Sequence, residues 1–155
     1  MYKEQWDRIQ RWLTRIERHH ENQTEYVDFL WSFFQNCWHF KDWVKNDPRT
    51  TKKVLDSIED DINKSDSLKI CADLANRSKH FVLQPGRARH DKDPRLRGHI
   101  KADIKEDISR GTTTSDVMWN YVVHLDDGSE RPVIELAHEA LQGWKSLLNG
   151  YGMSV

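Results

Sequence analysis

The sequence predicts a mainly α-helical single domain: a bundle of about five helices with a small antiparallel β-hairpin or three-stranded element before the last helix. Apolar residues recur every three or four positions over most of residues 1–84 and again over 132–149. Between these regions, a β-rich stretch is followed by the turn sequence Asp-Asp-Gly-Ser at 126–129. The length of 155 residues is typical of one domain with its own core.

The first 84 residues divide into four predicted helices. Their predicted bounds are 2–21, 22–46, 51–63 and 65–83. Asn22 followed by Glu25 is a capping-box pattern, which favours a helix start at that point. Because the residue before a proline disfavours helical backbone, the second helix is expected to end before Pro48.

The rest of the chain is predicted to contain a basic loop at 85–98, a β-element at 99–131 and a final helix at 132–149. Residues 118–125 are rich in β-formers, and a short return strand reaches Arg131. Pro132 suits the first position of the last helix. Residues 99–109 fit a strand by alternation and a helix by isoleucines spaced four apart, so both alternatives stay open.

Cys37 and Cys71 lie inside apolar helical patterns, which is typical of reduced core thiols. No segment has the pattern of a signal peptide or a membrane span, so we expect a cytoplasmic protein without a membrane partner. The sequence has no glycine-rich phosphate loop, nucleophile elbow or paired CxxC site, and we predict no cofactor and no metal on that ground.

Two helices carry narrow polar faces. Apolar residues cover about 200° of the second helix, more than one neighbouring surface requires, so that helix is expected to be wrapped by others. Its remaining strip holds Asp28, Ser32, Gln35, His39, Asp42 and Trp43. In the fourth helix, a polar line at i, i+3, i+4 and i+7 consists of Asp73, Asn76, Arg77 and His80.

If the two polar faces share one space, they form a candidate catalytic cluster. Its members would be His39, Asp42, Asp73, Asn76, Arg77 and His80. These residue types can serve as acid, base and anion clamp, and His39, Asp42 and His80 can also ligate a metal. Two alternatives are open: each face is simply solvated, or the polar groups form a buried network that fixes helix register.

The net charge of −1 rules out a polycation but hides a local basic segment. Residues 85–101 hold six cationic and two acidic side chains, a net charge of +4. The predicted contacts to RNA or another phosphate-bearing partner are Arg87, Arg89, Lys92, Arg95 and Arg97. A second basic feature is the stripe Arg8, Arg11, Arg15 and Arg18 on the first helix, predicted to be a salt-bridged, solvated face because acidic residues are interspersed with it.

A compact helical bundle with an Arg/His pair resembles the HEPN superfamily of small bacterial domains, which includes toxin and defence ribonucleases. The family signature is an arginine and a histidine with four to six residues between them. Two segments match it, Arg15 with His20 and Arg131 with His138, although Pro132 beside Arg131 departs from the pattern. The resemblance implies a metal-independent ribonuclease with Arg131 and His138 as its catalytic pair.

The segments at 39–43 and 75–80 are also similar to uncharacterised small bacterial and phage-related proteins. The leading hypothesis is therefore an RNA-directed protein of a bacterial or phage conflict system. The rival hypothesis is a non-catalytic partner-binding or regulatory module, in the form of a homo-oligomer such as a homodimer. That module would use an exposed Trp43 and the hairpin around Trp119 and Tyr121.

Overall fold

The computed structural model describes residues 1–18, 22–80, 88–90, 94–107 and 112–155, with backbone only over 99–107 and 112–118. The elements in chain order are α1 (Tyr2–Ile16), α2 (Gln23–Lys45), α3 (Lys52–Asn63), α4 (Asp66–Arg77), β1 (Arg95–Asp107), β2 (Thr112–His124), β3 (Glu130–Pro132) and α5 (Val133–Gly150). The predicted helical bundle with a three-stranded antiparallel sheet before the last helix is confirmed.

Helix α2 is the centre of the bundle and contacts each of the other four helices. Its wide apolar arc is buried as predicted, with Phe33, Phe34 and Phe40 at 0 % exposure. From α5, Trp144 packs edge-on against Phe40, with ring centroids 5.0 Å apart, and its indole N–H donates to the Cys37 carbonyl. Burying an aromatic ring of this size stabilises the fold by roughly 2–3 kcal/mol, so these contacts fix the orientation of α2.

Two helices end earlier than the sequence predicts. Helix α1 ends at Ile16 rather than at residue 21, because Ile16 is the last buried position of its apolar stripe. Helix α4 ends at Arg77 rather than at 83, and residues 81–83 lie outside the described residues. The Ser78 hydroxyl donates to the Ala75 carbonyl at 2.6 Å, a local bond that competes with helix continuation.

The sheet has the order β1-β2-β3, and β1 pairs with β2 from Arg95↔His124 to Asp107↔Thr112. Of the two open alternatives for 99–109, the strand is therefore confirmed as far as Asp107, and 108–109 lie outside the described residues. The predicted loop at 85–98 is wrong over its last four residues, which belong to β1. Leu96 pairs with the buried Val123, so the strand gains an apolar contact there that a loop would lack.

Tyr121 joins the sheet to the bundle. It is buried, and its ring meets the Tyr26 ring of α2 edge-on at 5.3 Å. A Cβ atom on the opposing Gly98 would lie 3.1 Å from the Tyr121 ring carbon Cζ, so a larger residue there would have to displace the ring by a few tenths of an ångström. Of the two hairpin residues named for a partner surface, Tyr121 is buried and Trp119 is half-buried.

The turn at 126–129 forms as predicted. The Gly128 N–H donates to the Leu125 carbonyl at 3.0 Å, and Gly128 has a positive φ of 83°. Pro132 ends β3 and caps α5 instead of occupying its first position, because its backbone stays extended with ψ 128°.

The predicted core thiols are confirmed, since Cys37 and Cys71 are both free and buried. Burial, and then the neighbouring Cys37 thiol, raise the pKa of Cys71 well above its usual value, which disfavours the reactive thiolate. None of the helices in the described part of the chain is both long and apolar enough to cross a membrane.

Candidate functional site

The outward strip of α2 lies between α1 and the C-terminal end of α4. On one side, the Gln5 amide of α1 donates to the Asn36 carbonyl and side-chain oxygens at 3.1 and 3.0 Å. On the other side, the Gln35 amide donates to the Ser78 hydroxyl at 2.7 Å, directly after α4. Hydrogen bonds therefore join α2 to a neighbouring element on each side of this strip.

His39 is held at both ring nitrogens. Its Nδ1 lies 3.4 Å from Asp42 Oδ2, and its Nε2 lies 3.2 Å from the Lys79 ammonium nitrogen. An ammonium group can only donate, so Nε2 must accept and Nδ1 must carry the ring hydrogen and donate to Asp42. The contacts thus select one tautomer of neutral His39, as in an imidazole oriented for acid–base chemistry.

The site is open to solutes. The side chains of His39 and Asp42 are 40 % and 49 % exposed, and Lys79 is exposed. On the side of the strip that faces α1, the Arg8 guanidinium lies over the Trp43 ring at 5.6 Å from its centroid. Trp43 is half-buried under this contact, so the prediction that it is exposed is wrong.

Asp73 does not join His39. It is fully buried, and its carboxylate accepts from the backbone N–H of Arg89 at 2.8 and 3.0 Å and from that of His90 at 2.7 Å. Burial raises the pKa of Asp73, and the two backbone donors offset only part of that rise. The single shared cluster predicted from the two polar faces is therefore wrong for Asp73, which anchors residues 88–90 to α4.

The other predicted members from α4 are at its C-terminal end. The Asn76 carbonyl accepts from the backbone N–H of Lys79 and of His80 at 3.1 and 3.0 Å. Arg77 is the half-buried last residue of α4, and His80 is exposed just beyond the assigned end of the helix. Among the described residues, no group of three or more His, Cys, Asp or Glu side chains is arranged to hold a metal ion.

The Arg89 side chain is bound within the protein. Its guanidinium donates to Glu59 and Asn63, both at 2.8 Å, and lies over the Trp38 ring at 4.5 Å. Glu59 also accepts from Lys41 and Lys45. Burial alone would raise the pKa of Glu59, but hydrogen bonds from these three cations lower it to about 2. The network joins α2, α3 and the segment at 88–90.

Of the other predicted phosphate contacts, Arg95 and Arg97 are exposed on β1. They occupy register positions opposite His124 and Val122, so they lie on the face of the sheet opposite the buried Val123. Arg87 and Lys92 lie outside the described residues.

The HEPN-like pair is engaged with two different sets of carboxylates. Arg131 contacts Asp66 of α4 at 3.3 Å and Glu139 of α5. His138 Nε2 lies 2.7 Å from Glu17 Oε1, at the end of α1. Among the described residues, no hydrogen bond or ion pair joins Arg131 to His138. His20 of the other matching segment lies outside the described residues.

Sequence reasoning missed Lys79, which supplies the partner of His39. Lys79 lies two residues past the assigned end of α4, where its backbone N–H donates to the Asn76 carbonyl at 3.1 Å. The available signal was the sequence Ser78-Lys79-His80, in which serine favours local side-chain bonds over helix.

The geometry therefore brings His39, Asp42 and Lys79 together and separates them from Asp73, Arg89, Arg131 and His138. The chain matches no protein-family model, and no curated protein and no solved structure shows significant similarity to it.

Proposed function

We propose that the chain is an RNA-directed protein that cleaves phosphodiester bonds without a metal ion, with His39 at the centre of its site. The observation that carries this proposal is the pair of contacts to the ring of His39, from Asp42 at Nδ1 and from Lys79 at Nε2. Membership of a HEPN-like family and a role in a bacterial or phage conflict system remain predictions that go with it.

The chemistry needs only the groups that these contacts provide. When substrate binds, Lys79 moves from Nε2 to a phosphate oxygen, where it stabilises the charge of the phosphorane that forms. Neutral His39 then takes the proton of a ribose 2′-hydroxyl at the vacated Nε2, and the 2′-oxygen attacks the adjacent phosphorus. The bond from phosphorus to the 5′-oxygen breaks, that oxygen takes a proton from water, the resulting hydroxide takes the proton from the His39 imidazolium, and a 2′,3′-cyclic phosphate remains.

Asp42 is a positioning residue in this scheme. Its carboxylate accepts the Nδ1 hydrogen of His39, so it keeps Nε2 available as the base and stabilises the imidazolium that forms. With 49 % of its side chain exposed, Asp42 is screened by water, and its effect on the rate should be smaller than that of His39.

His39 supports this function better than the HEPN-like pair does. A catalytic arginine must present its donors to the phosphate, but the Arg131 guanidinium is already bound by the Asp66 and Glu139 carboxylates. The ring of His138 is directed to Glu17 of another helix.

The partner-binding alternative has less support from the described surface. Interface cores are enriched in large apolar side chains. Among the described residues, the large hydrophobic side chains that are exposed are Met1, Leu55 and Val155, and two of these are at the chain ends.

The proposal is tested with a 5′-labelled RNA oligonucleotide and the same oligonucleotide carrying one 2′-deoxyribose at the cleaved position. We expect cleavage of the all-ribose strand to a 2′,3′-cyclic phosphate at an equal rate with and without EDTA, because His39 supplies the base and Lys79 the charge stabilisation. The strand with the single deoxyribose should stay intact at that position. Cleavage at the deoxyribose, or loss of all cleavage in EDTA, would contradict the mechanism.

A further inference from the structure

We infer that the substrate of this site is single-stranded RNA, and that the strand lies along the seam of α1 and α2 where Arg8 and Arg15 are held on aromatic rings. The inference rests on the proposed function, because it names the form of the substrate and the surface that binds it. Binding and cleavage can nevertheless be measured separately.

The arginine stripe of α1 is less neutralised than the sequence predicts. Two of the acidic residues interspersed with it bind other groups. Glu4 accepts from the N-terminal ammonium group at 2.8 Å, and Glu17 pairs with His138 of α5. Glu4 also lies in the field of Arg8, so it is shared between two cations. Residues 1–18 carry five Lys and Arg against three Asp and Glu side chains, and this net charge of +2 can attract phosphates.

Aromatic rings hold two of these arginines. The Arg8 guanidinium lies 5.6 Å from the Trp43 ring centroid, and the Arg15 guanidinium lies 4.9 Å from Trp12 and 5.6 Å from Phe29. All three rings are half-buried, so they are fixed by the bundle. A guanidinium held on a ring can bind phosphate through its N–H edge or stack an unpaired base on its outer plane.

The ring partners of the two arginines on α2, Phe29 and Trp43, lie on either side of His39 along the helix. Arg8 and Arg15 are two turns apart on α1, about 10 Å at 1.5 Å per residue. Trp43, under Arg8, follows His39 by one turn of α2, and Lys79 bounds the far side of His39. Of the carboxylates on this strip, Asp42 is paired with His39 and Asp28 is exposed near the start of α2.

This arrangement favours a single strand over a duplex. Bases in a duplex are paired and stacked on each other, so their faces cannot reach a fixed guanidinium or indole plane. In a single strand, each base can stack while the backbone follows the positive charge. The seam offers both positive charge and aromatic rings. Among the described side chains, the exposed Arg95 and Arg97 of β1 offer only positive charge.

The test uses fluorescence anisotropy of a 5′-labelled 12-nucleotide oligouridine on full-length protein carrying His39→Ala, so that the RNA stays intact. We expect the double change Arg8→Ala and Arg15→Ala to weaken binding at least about tenfold and to lower the salt slope by about 1.4, for two lost phosphate contacts on a single strand. Arg8→Lys with Arg15→Lys should keep the salt slope but still lose affinity, because lysine cannot stack.

Two charge-matched controls accompany these variants. Lys52→Ala with Lys53→Ala, at the exposed start of α3, and Arg95→Ala with Arg97→Ala, on β1, should change affinity less than twofold. Equal weakening by either control, unchanged binding by the Arg8 and Arg15 variants, or equal affinity for a 12-base-pair RNA duplex would overturn the inference. If the strand binds as expected but wild type cleaves no RNA, the proposed catalysis fails while the binding seam stands.

Discussion

His39→Ala is expected to lower the rate of RNA cleavage by about 10²- to 10⁴-fold, the usual contribution of a general base. Alanine removes the nitrogen that takes the 2′-hydroxyl proton and frees Lys79 from its contact at 3.2 Å. Because the His39 side chain is 40 % exposed, its loss should leave the unfolding midpoint in urea nearly unchanged. Initial rates on a labelled RNA strand and a urea titration measure both quantities.

His138→Ala is the matched control for this experiment. His138 is also an exposed histidine with a carboxylate neighbour, Glu17, but it lies away from His39. Its removal should change the cleavage rate less than threefold. A loss of activity with His138→Ala and none with His39→Ala would instead place the chemistry at the HEPN-like pair and refute the site on α2.

Asp73→Ala is expected to lower the free energy of unfolding by about 3 kcal/mol, the cost of leaving buried N–H donors without an acceptor. The donors are the backbone amides of Arg89 and His90, which both lose the carboxylate. The stabilising interaction is the set of hydrogen bonds that the Asp73 oxygens accept from these two amides. Asp73→Asn should therefore lose about half as much, because one side-chain oxygen still accepts.

Urea titrations of wild type, Asp73→Ala and Asp73→Asn provide the measurement. Asp60→Ala is the control, because Asp60 is an exposed aspartate of α3 whose removal should cost under about 0.5 kcal/mol. If Asp73→Ala costs no more than this control, residues 88–90 are not anchored through Asp73.

The helical arrangement was predictable from the sequence because apolar periodicity alone determines which side of each helix is buried. The arc of α2 is the clearest case: Leu30, Phe33 and Phe40 are fully buried as their spacing predicts. The cap of α2 was also predictable, and the Asn22 side chain accepts from the Glu25 N–H at 3.2 Å.

The site was only partly predictable, because its contacts depend on where chain segments turn. Helical periodicity places Asp73 on a polar line with Asn76 and His80, but it cannot show that residues 88–90 return over Asp73 and bury it. Nor can it show that the Lys79 side chain reaches His39 of another helix. Asp73 and its partner Arg89 are 16 positions apart in the sequence, and Lys79 and His39 are 40 apart. Periodicity within one helix carries no information about contacts between residues so far apart.

The contacts of the arginine stripe on α1 were unpredictable for the same reason. Spacing on α1 suggests that Glu4 and Glu17 neutralise their arginine neighbours, yet the chain terminus and α5 supply stronger partners. Arg8 in turn contacts Trp43 of another helix, which no pattern within α1 could reveal.

The proposed site requires that His39 accept a hydrogen bond from Lys79 at Nε2 and donate one to Asp42 at Nδ1. Long-range ¹H–¹⁵N NMR spectra of the imidazole nitrogens, recorded at a pH where free imidazole is neutral, report this tautomer directly. We expect His39 to carry its hydrogen on Nδ1 in wild type and to shift toward the Nε2–H form, the commoner one for free imidazole, in a Lys79→Met, Asp42→Asn variant. Predominant Nε2–H in wild type would show that Lys79 does not reach His39 and would contradict the proposed site.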